Sequence, residues 1–464
     1  MLKNKLNTFK IIALSALPIV NVSAQDKPKR PNIIFLLTDD HRYDALGAMG
    51  NDIIQTPNLD KLANKGVLFR NAFVTTSISC SSRASLLTGQ YTSRHGIDDF
   101  AKTFSAENLQ QTYPMLLRKA GYKIGFLGKY GVGAYESQPG EMFDYWACDK
   151  GTQPDYELTD AYGYYMHHTD RINRDAAQFL DNFAGKDEPF CLSISLKAPH
   201  VQDNDPRQFI THPRYDKYYQ DEIIPHPELC DDKYWDIFPS FFKENNEGRN
   251  RWKLRFATPE MYQRSVKNYY RLITQVDDMV GDLMHQLNRL GVDQNTIIVF
   301  MGDNGFFLGE HGLAGKWYIY EESVRVPLFI YDPTAPEVQR GKKVSAIALN
   351  IDIAPTLLTL AGVPVPSMMQ GRNLMESLQA DSPPWRSDFF YEHPFQHPNI
   401  PNSAGVVSCT YKYVVYYGQN PVYEEFFDLQ SDPHETNNLI NNDQYKPIIN
   451  EYKLRFQQLK QEVQ

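Results

Sequence analysis

The chain has 464 residues, a formal net charge of −9, and 42% hydrophobic, 22% charged and 13% aromatic residues. Those proportions belong to a globular protein and exclude disordered, collagen-like and coiled-coil classes; at roughly 100–200 residues per domain, two domains are expected. The negative balance also excludes a protein that wraps nucleic acid by bulk positive field, so an anionic ligand has to be held by local cations.

Residues 1–10 carry Lys3, Lys5 and Lys10 and no acid; the apolar run IIALSALPIV follows and ends in Val22-Ser23-Ala24. A basic, then apolar, then small-residue order is that of an export signal. The expectation is cleavage after Ala24 (signal 1–24) and a periplasmic or secreted product. Pro18 and Asn21 interrupt the run, no cysteine follows Ala24, and no other stretch is apolar enough to span a bilayer, so no membrane anchor is expected. Cys80, Cys148, Cys191, Cys230 and Cys409 are too few and scattered for a disulfide framework or a zinc pattern.

Residues 32–37 (NIIFLL) form a short apolar run rich in branched side chains, the pattern of a strand buried on both faces. It leads into Thr38-Asp39-Asp40. Pro57 then opens a helix that Gly66 closes. Residues 123–127 and 190–196 are further strand candidates, the latter running into Pro199-His200. Residues 202–259 lose all periodicity and read as a functional loop or lid. Val266, Tyr269, Tyr270, Ile273, Val276, Val280, Leu283 and Leu287 mark one long amphipathic helix. The run 296–301 (TIIVFM) then delivers Asp303-Asn304. Strands alternating with helices predict an α/β fold with a large, mostly parallel central sheet flanked by helices, over 25–381. From about residue 382 the texture changes to short strands and a final helix, a smaller C-terminal α+β subdomain over 382–464.

In an open α/β sheet, ligands collect beyond the carboxyl ends of the strands. Two strands here deliver Asp39-Asp40 and Asp303-Asn304 to that edge. Alone, each pair reads more readily as helix caps than as metal ligands. Together they offer three carboxylates and an amide, hard oxygen ligands that suit Ca²⁺ or Mg²⁺ better than zinc.

Between them lies Ser79-Cys80-Ser81-Ser82-Arg83-Ala84-Ser85-Leu86-Leu87-Thr88-Gly89. This stretch resembles the signature of the formylglycine-dependent sulfatases, in the alkaline-phosphatase-like superfamily: Cys or Ser, any residue, usually Pro or Ala, any residue, Arg, then a Leu-Thr-Gly-like ending. Alignment on Arg83 puts Ser79 rather than Cys80 at the modified position, and Ser81 departs from the usual Pro or Ala. Thr56-Pro57-Asn58-Leu59-Asp60, Gly128-Lys129, Pro199-His200, Gly309-Glu310-His311-Gly312, Gly315-Lys316 and Phe427-Asp428-Leu429 agree in order and spacing. One motif departs: the family's Gly-Lys-Trp-His reads Gly128-Lys129-Tyr130-Gly131 here.

The resemblance implies that a Ser-competent maturase oxidises Ser79 to formylglycine (3-oxoalanine), whose hydrate attacks the sulfur of a sulfated saccharide of glycosaminoglycan or mucin type. Asp39, Asp40, Ser79, Asp303 and Asn304 would then surround Ca²⁺, Arg83, Lys129 and Lys316 would hold the sulfate, and His200 would protonate the leaving oxygen. Ser79 is expected just before a helix starting near Ser82, whose N–H groups favour an anion. His95, His311, Arg325, Glu392 and His393 are candidate sugar contacts, with His311 or His95 as replacements for the missing imidazole. Trp235, Trp252 and Trp317 are either stacking platforms or packing residues. Other readings are a phosphatase or phosphodiesterase using unmodified Ser79, and an inactive glycan-binding relative.

Overall fold

In a computed structural model the chain is described at residues 29–151, 153–379 and 384–464. The expected signal segment 1–24 and the expected boundary at 381/382 lie outside the described residues. Eight strands build the central sheet: β1 (Asn32–Asp39), β2 (Val67–Phe73), β3 (Lys123–Gly128), β4 (Tyr145–Cys148), β5 (Phe190–Pro199), β6 (Thr296–Gly302), β7 (Leu328–Tyr331) and β8 (Lys342–Leu349). Their order is β8-β2-β7-β6-β1-β5-β3-β4. All the apolar runs read from the sequence fall here, and alternate side chains of β1 enter two different cores. Ile34 and Leu36 pack on one face with the long helix Pro259–Arg289, while Ile33, Phe35 and Leu37 pack on the other with Ala84, Leu86 and Leu87. Burial on both faces is why β1 lacks polar alternation.

The sheet is parallel except for β7, which pairs antiparallel with β6 and β2. The chain leaves β6 at its carboxyl end and re-enters β7 at the same edge without a crossover helix, so the pairing has to be antiparallel. That loop carries Lys316 back over the strand ends.

Helix Pro57–Lys65 begins and ends as read, and Gly66 is required by close approach: a Cβ there would lie 2.2 Å from the Ile330 carbonyl oxygen. Helix Ser79–Thr88 starts three residues earlier than the expectation near Ser82, and all ten of its residues are buried. The polar run Ser79-Cys80-Ser81-Ser82 hid that start, because a helix buried all round has no amphipathic period. Residues 202–259 contain short helices, including Asp232–Asp236, Ser240–Lys243 and Glu247–Arg255, too brief to show a period in sequence.

The C-terminal region forms the expected α+β unit. Strands β9 (Asp388–His393), β10 (Ser403–Ser408), β11 (Tyr411–Tyr416) and β12 (Tyr423–Asp428) pair antiparallel in chain order. Phe456 of the final helix Lys446–Glu462 packs on Phe390 and Tyr413.

Candidate active site

The parallel register brings the strand ends to one place: Asp39 lies level with Pro199, and Thr38 with Gly302. Asp39-Asp40, Lys129, His200 and Asp303-Asn304 therefore leave β1, β3, β5 and β6 at the same edge. Asp40 adopts φ 61°, a left-handed conformation that Asp tolerates, and its N–H donates to Asp303 Oδ1 at 3.1 Å.

Ser79 is the first residue of its helix. Its hydroxyl donates to Asp39 Oδ1 at 3.1 Å and accepts from Lys316 Nζ at 3.1 Å. Lys129 pairs with Asp39, and Lys316 with Asp40. Arg83, one turn along the helix, donates from Nε to Asp303 Oδ2 at 2.9 Å and from Nη1 to the Lys129 carbonyl at 2.7 Å. Three carboxylates thus face three cations, all buried. Burial pushes the Asp39 carboxyl up, but Lys129, His200, Lys316 and Arg83 outweigh it and hold the group well below the carboxylate range. Asp303 goes the other way, to about 6, because burial and Asp39 act together against Arg83.

Cys80 is the neighbouring nucleophile in sequence and points elsewhere. Among the described residues its Sγ makes a polar contact only with Ser81 Oγ, at 3.9 Å, within the core cluster of Ile78 and Phe73. Burial lifts its thiol to about 11, so it stays protonated and inert.

A divalent cation fits this donor set on two observations. Asn304 donates through Nδ2 to Asp40 Oδ1 at 2.6 Å, which leaves its buried Oδ1 without a hydrogen-bond partner among the described residues. One oxygen each of Asp39 and Asp40 and a ring nitrogen of His200 also lie within 4.8 Å of one another. His200 enters this cluster beside its expected role: Nε2 is 3.4 Å from Asp40 Oδ2 and 3.1 Å from Gln153 Nε2, while Nδ1–H donates to the Val201 carbonyl at 2.7 Å. Burial lowers its pKa to about 4 against the pull of Asp40 and Asp39.

The expected sugar contacts are not brought here. His95 is buried, with Nε2 bonded to Ser85 Oγ at 3.0 Å and Nδ1 accepting from the Ile97 N–H. His311 lies among Tyr234, Phe238 and Tyr320. Neither replaces the family histidine at Gly131, where a Cβ would sit 2.5 Å from Arg83 Cδ; the Arg83 stem takes that space. Arg325 donates to the Arg70 carbonyl and covers the Tyr43 ring. Glu392 accepts from the Ser93 N–H at 2.8 Å, and with the buried His393 it lines a different cavity. Each is spent on packing or backbone bonds, which a linear motif does not reveal.

The cavity over Ser79 measures about 250 Å³, and its rim comes from residues the sequence reading missed: Gln153, Asp203, Glu247, Arg251, Phe395 and His397. Three of them belong to the stretch read as a functional loop, which was the available signal. Of the three tryptophans proposed for stacking, only Trp317 lines this cavity, held at φ 85°. Trp235 packs on Phe238, and Trp252 lies under Arg249.

The Sulfatase family profile matches residues 31–363, and a second profile, N-sulphoglucosamine sulphohydrolase, C-terminal, matches residues 309–462. The chain belongs to the sulfatase family. This sulfatase is 32% identical to the N-acetylglucosamine-6-O-sulfatase of Bacteroides thetaiotaomicron over 94% of its own length and 87% of the relative's. A structure solved in complex with its substrate, D-glucosamine-2-N,6-O-disulfate, superposes with a TM-score of 0.81 at 30% identity, covering 94% of this chain and 98% of that one. The phosphonate monoester hydrolase of Agrobacterium radiobacter shares the fold, with a TM-score of 0.76 at 21% identity over 94% and 96% of the two chains. The sulfatase is therefore a sulfuric ester hydrolase, from a family that generally uses formylglycine and a divalent metal. No helix among the described residues is long and apolar enough to cross a membrane.

Proposed function

We propose that this sulfatase removes sulfate from a terminal unit of a sulfated saccharide, with 6-O-sulfated glucosamine as the first candidate, through a formylglycine made from Ser79. The observation that carries the reading is that Ser79 Oγ, and not Cys80 Sγ, stands between the Asp39 carboxylate and the Lys316 ammonium. The substrates named for the relatives above support the sugar, and a glycosaminoglycan or mucin fragment is the source we favour.

Asp39, Asp40, Asp303 and Asn304 would hold Ca²⁺, as suits all-oxygen ligands. When present, the cation would polarise the sulfate oxygens, and the formylglycine would supply as its hydrate the hydroxyl that attacks sulfur. Arg83, Lys129 and Lys316 neutralise charge on the ester oxygens, and the N-terminus of the Ser79 helix adds its dipole to theirs. They are buried, so water screens them little. His200 Nε2 delivers a proton to the departing sugar oxygen, and the bound anionic ester favours the imidazolium that does so. Ser79 is buried in the folded chain, which supports maturation by a partner enzyme before folding and export to the periplasm or medium.

Peptide mass spectrometry on protein produced with a Ser-competent maturase tests the reading. Ser79 is expected about 2 Da lighter, the mass of the two hydrogens lost in making the aldehyde. An aldehyde at Cys80, which would make that residue about 18 Da lighter because sulfur is exchanged for oxygen as two hydrogens are lost, or phosphate but no sulfate release from paired esters, would overturn it. For His200→Ala, kcat on a sugar sulfate is expected to fall about 10²–10⁴-fold, the range for a lost general acid, and far less on an aryl sulfate whose leaving group needs no proton. Equal losses on both substrates would remove His200 from this role.

A further inference from the structure

Beside Ser79 the cavity is lined by His200 and Lys316, and its outer wall is built differently. Helix Glu247–Arg255 places Glu247 and Arg251 one turn apart on the face toward Ser79, and Arg251 Nε donates to Glu247 Oε1 at 2.7 Å. Arg251 Nη1 donates to Asp203 Oδ1 at 2.6 Å, and Arg255 Nη2 reaches the same oxygen at 3.3 Å. The Arg251 guanidinium lies 5.2 Å from the Trp317 ring centre. The Glu247 N–H donates to the Asn399 carbonyl at 3.0 Å, tying this helix to the loop that carries Phe395 and His397.

Two partly exposed carboxylates are thus fixed by arginines, each through one oxygen. The arginines also hold Asp203 ionised: burial pushes it up, while His200, Arg251, Arg255 and Lys316 bring it below the usual range. An ionised carboxylate accepts hydrogen bonds only. Trp317, Phe395 and His397 line the same cavity, flat surfaces suited to an apolar ring face. A second strongly anionic substituent at this end would meet two negative charges already sharing one arginine. Neutral ring hydroxyls, which donate, meet what they need. The volume of about 250 Å³ is below the roughly 300–1,000 Å³ typical of drug-sized ligand pockets and matches one saccharide ring held among these residues.

We infer that Asp203 and Glu247, positioned by Arg251, form a hydroxyl-reading clamp that admits a single terminal sugar with adjacent free hydroxyls and makes this sulfatase exo-acting. The inference rests on the proposed desulfation at Ser79 and goes beyond it in assigning sugar selection to these three residues. Asp203 and Glu247 touch the substrate; Arg251 acts through them.

The test uses the matured full chain and four substrates: N-acetylglucosamine-6-sulfate, its 3-deoxy and 4-deoxy analogues, and an aryl sulfate. In the wild type, loss of the hydroxyl that faces the clamp is expected to lower kcat/KM about 10- to 100-fold, the range for one hydrogen bond to a charged group. Asp203→Asn and Glu247→Gln are expected to lower the sugar-to-aryl ratio of kcat/KM by a similar factor, mostly through KM. The matching deoxy sugar then loses little more on the variant than the parent sugar does, the non-additivity of a direct contact. Arg251→Lys is expected to restore part of what Arg251→Met loses. Equal turnover of parent and deoxy sugars by the wild type, or fully additive losses, would overturn the clamp while leaving the sulfatase reading intact. If the wild type releases sulfate from neither sugar nor aryl ester, the desulfation reading fails instead.

Discussion

Asp303→Ala is expected to lower kcat/KM for any sulfate ester by at least about 10³-fold, at about 1.4 kcal/mol per tenfold, because it removes a charge from the cation-binding set and disorders Arg83 together. The side chain is fully buried, accepts from Arg83 Nε at 2.9 Å and caps the Asp40 N–H at 3.1 Å. Its loss leaves a buried guanidinium short of a counter-charge, a change that typically destabilises by about 3–5 kcal/mol. The variant should therefore melt at a lower temperature as well as lose activity. Asp303→Asn separates the two effects: it keeps the volume and an acceptor for the Asp40 N–H, so stability recovers in part while turnover does not. Calcium titration of sulfate release, alongside thermal melts, is the measurement. Activity of Asp303→Ala equal to the wild type, with a chelator present, would contradict the whole metal assignment.

Ser79→Ala is expected to abolish sulfate release, by at least about 10⁴-fold, as for other enzymes stripped of their nucleophile. Cys80→Ala is the paired control. The Cys80 thiol lies in the core and touches no carboxylate or lysine of the site, so its removal costs packing and leaves the Ser79 chemistry in place. Comparing the two variants on an aryl sulfate decides between adjacent residues that a motif alignment separates by one position. Full turnover by Ser79→Ala, or its loss in Cys80→Ala with the fold preserved, would reverse the assignment.

The strand ends show why the inner site was legible. A parallel strand buried on both faces is a continuous apolar run, and the residue after it must stand at the carboxyl edge of the sheet. Asp39-Asp40 and Asp303-Asn304 could be placed together from sequence because each follows such a run directly. Lys129 and His200 follow β3 and β5 in the same way. Arg83 was readable for another reason: four residues after Ser79, it lies one helical turn from it.

The outer wall obeys no such rule. Asp203, Glu247 and Arg251 come from a stretch of short helices, and Phe395 and His397 from a loop between two strands of the C-terminal sheet. Their meeting depends on how the two units dock, through contacts such as Glu247 N–H to Asn399 O and Tyr391 Oη to the Trp317 carbonyl. The same blindness made His95, His311 and His393 look available, although burial had already committed them to the interior.

By itself the sequence determined four of the eight central strands (β1, β3, β5 and β6), the oxygen-rich edge and the placing of Ser79 four residues before Arg83, since each is a local pattern of burial period or spacing along one element. Only the tertiary structure decided which side chains form the cavity wall beyond the sulfate position, which histidines are spent on packing, and that Gly131 gives its space to Arg83. Those outcomes are set by contacts between residues far apart in the chain, 48 positions for Arg251 and Asp203 and 299 for Ser93 and Glu392, and such separations leave no periodic trace in a single chain.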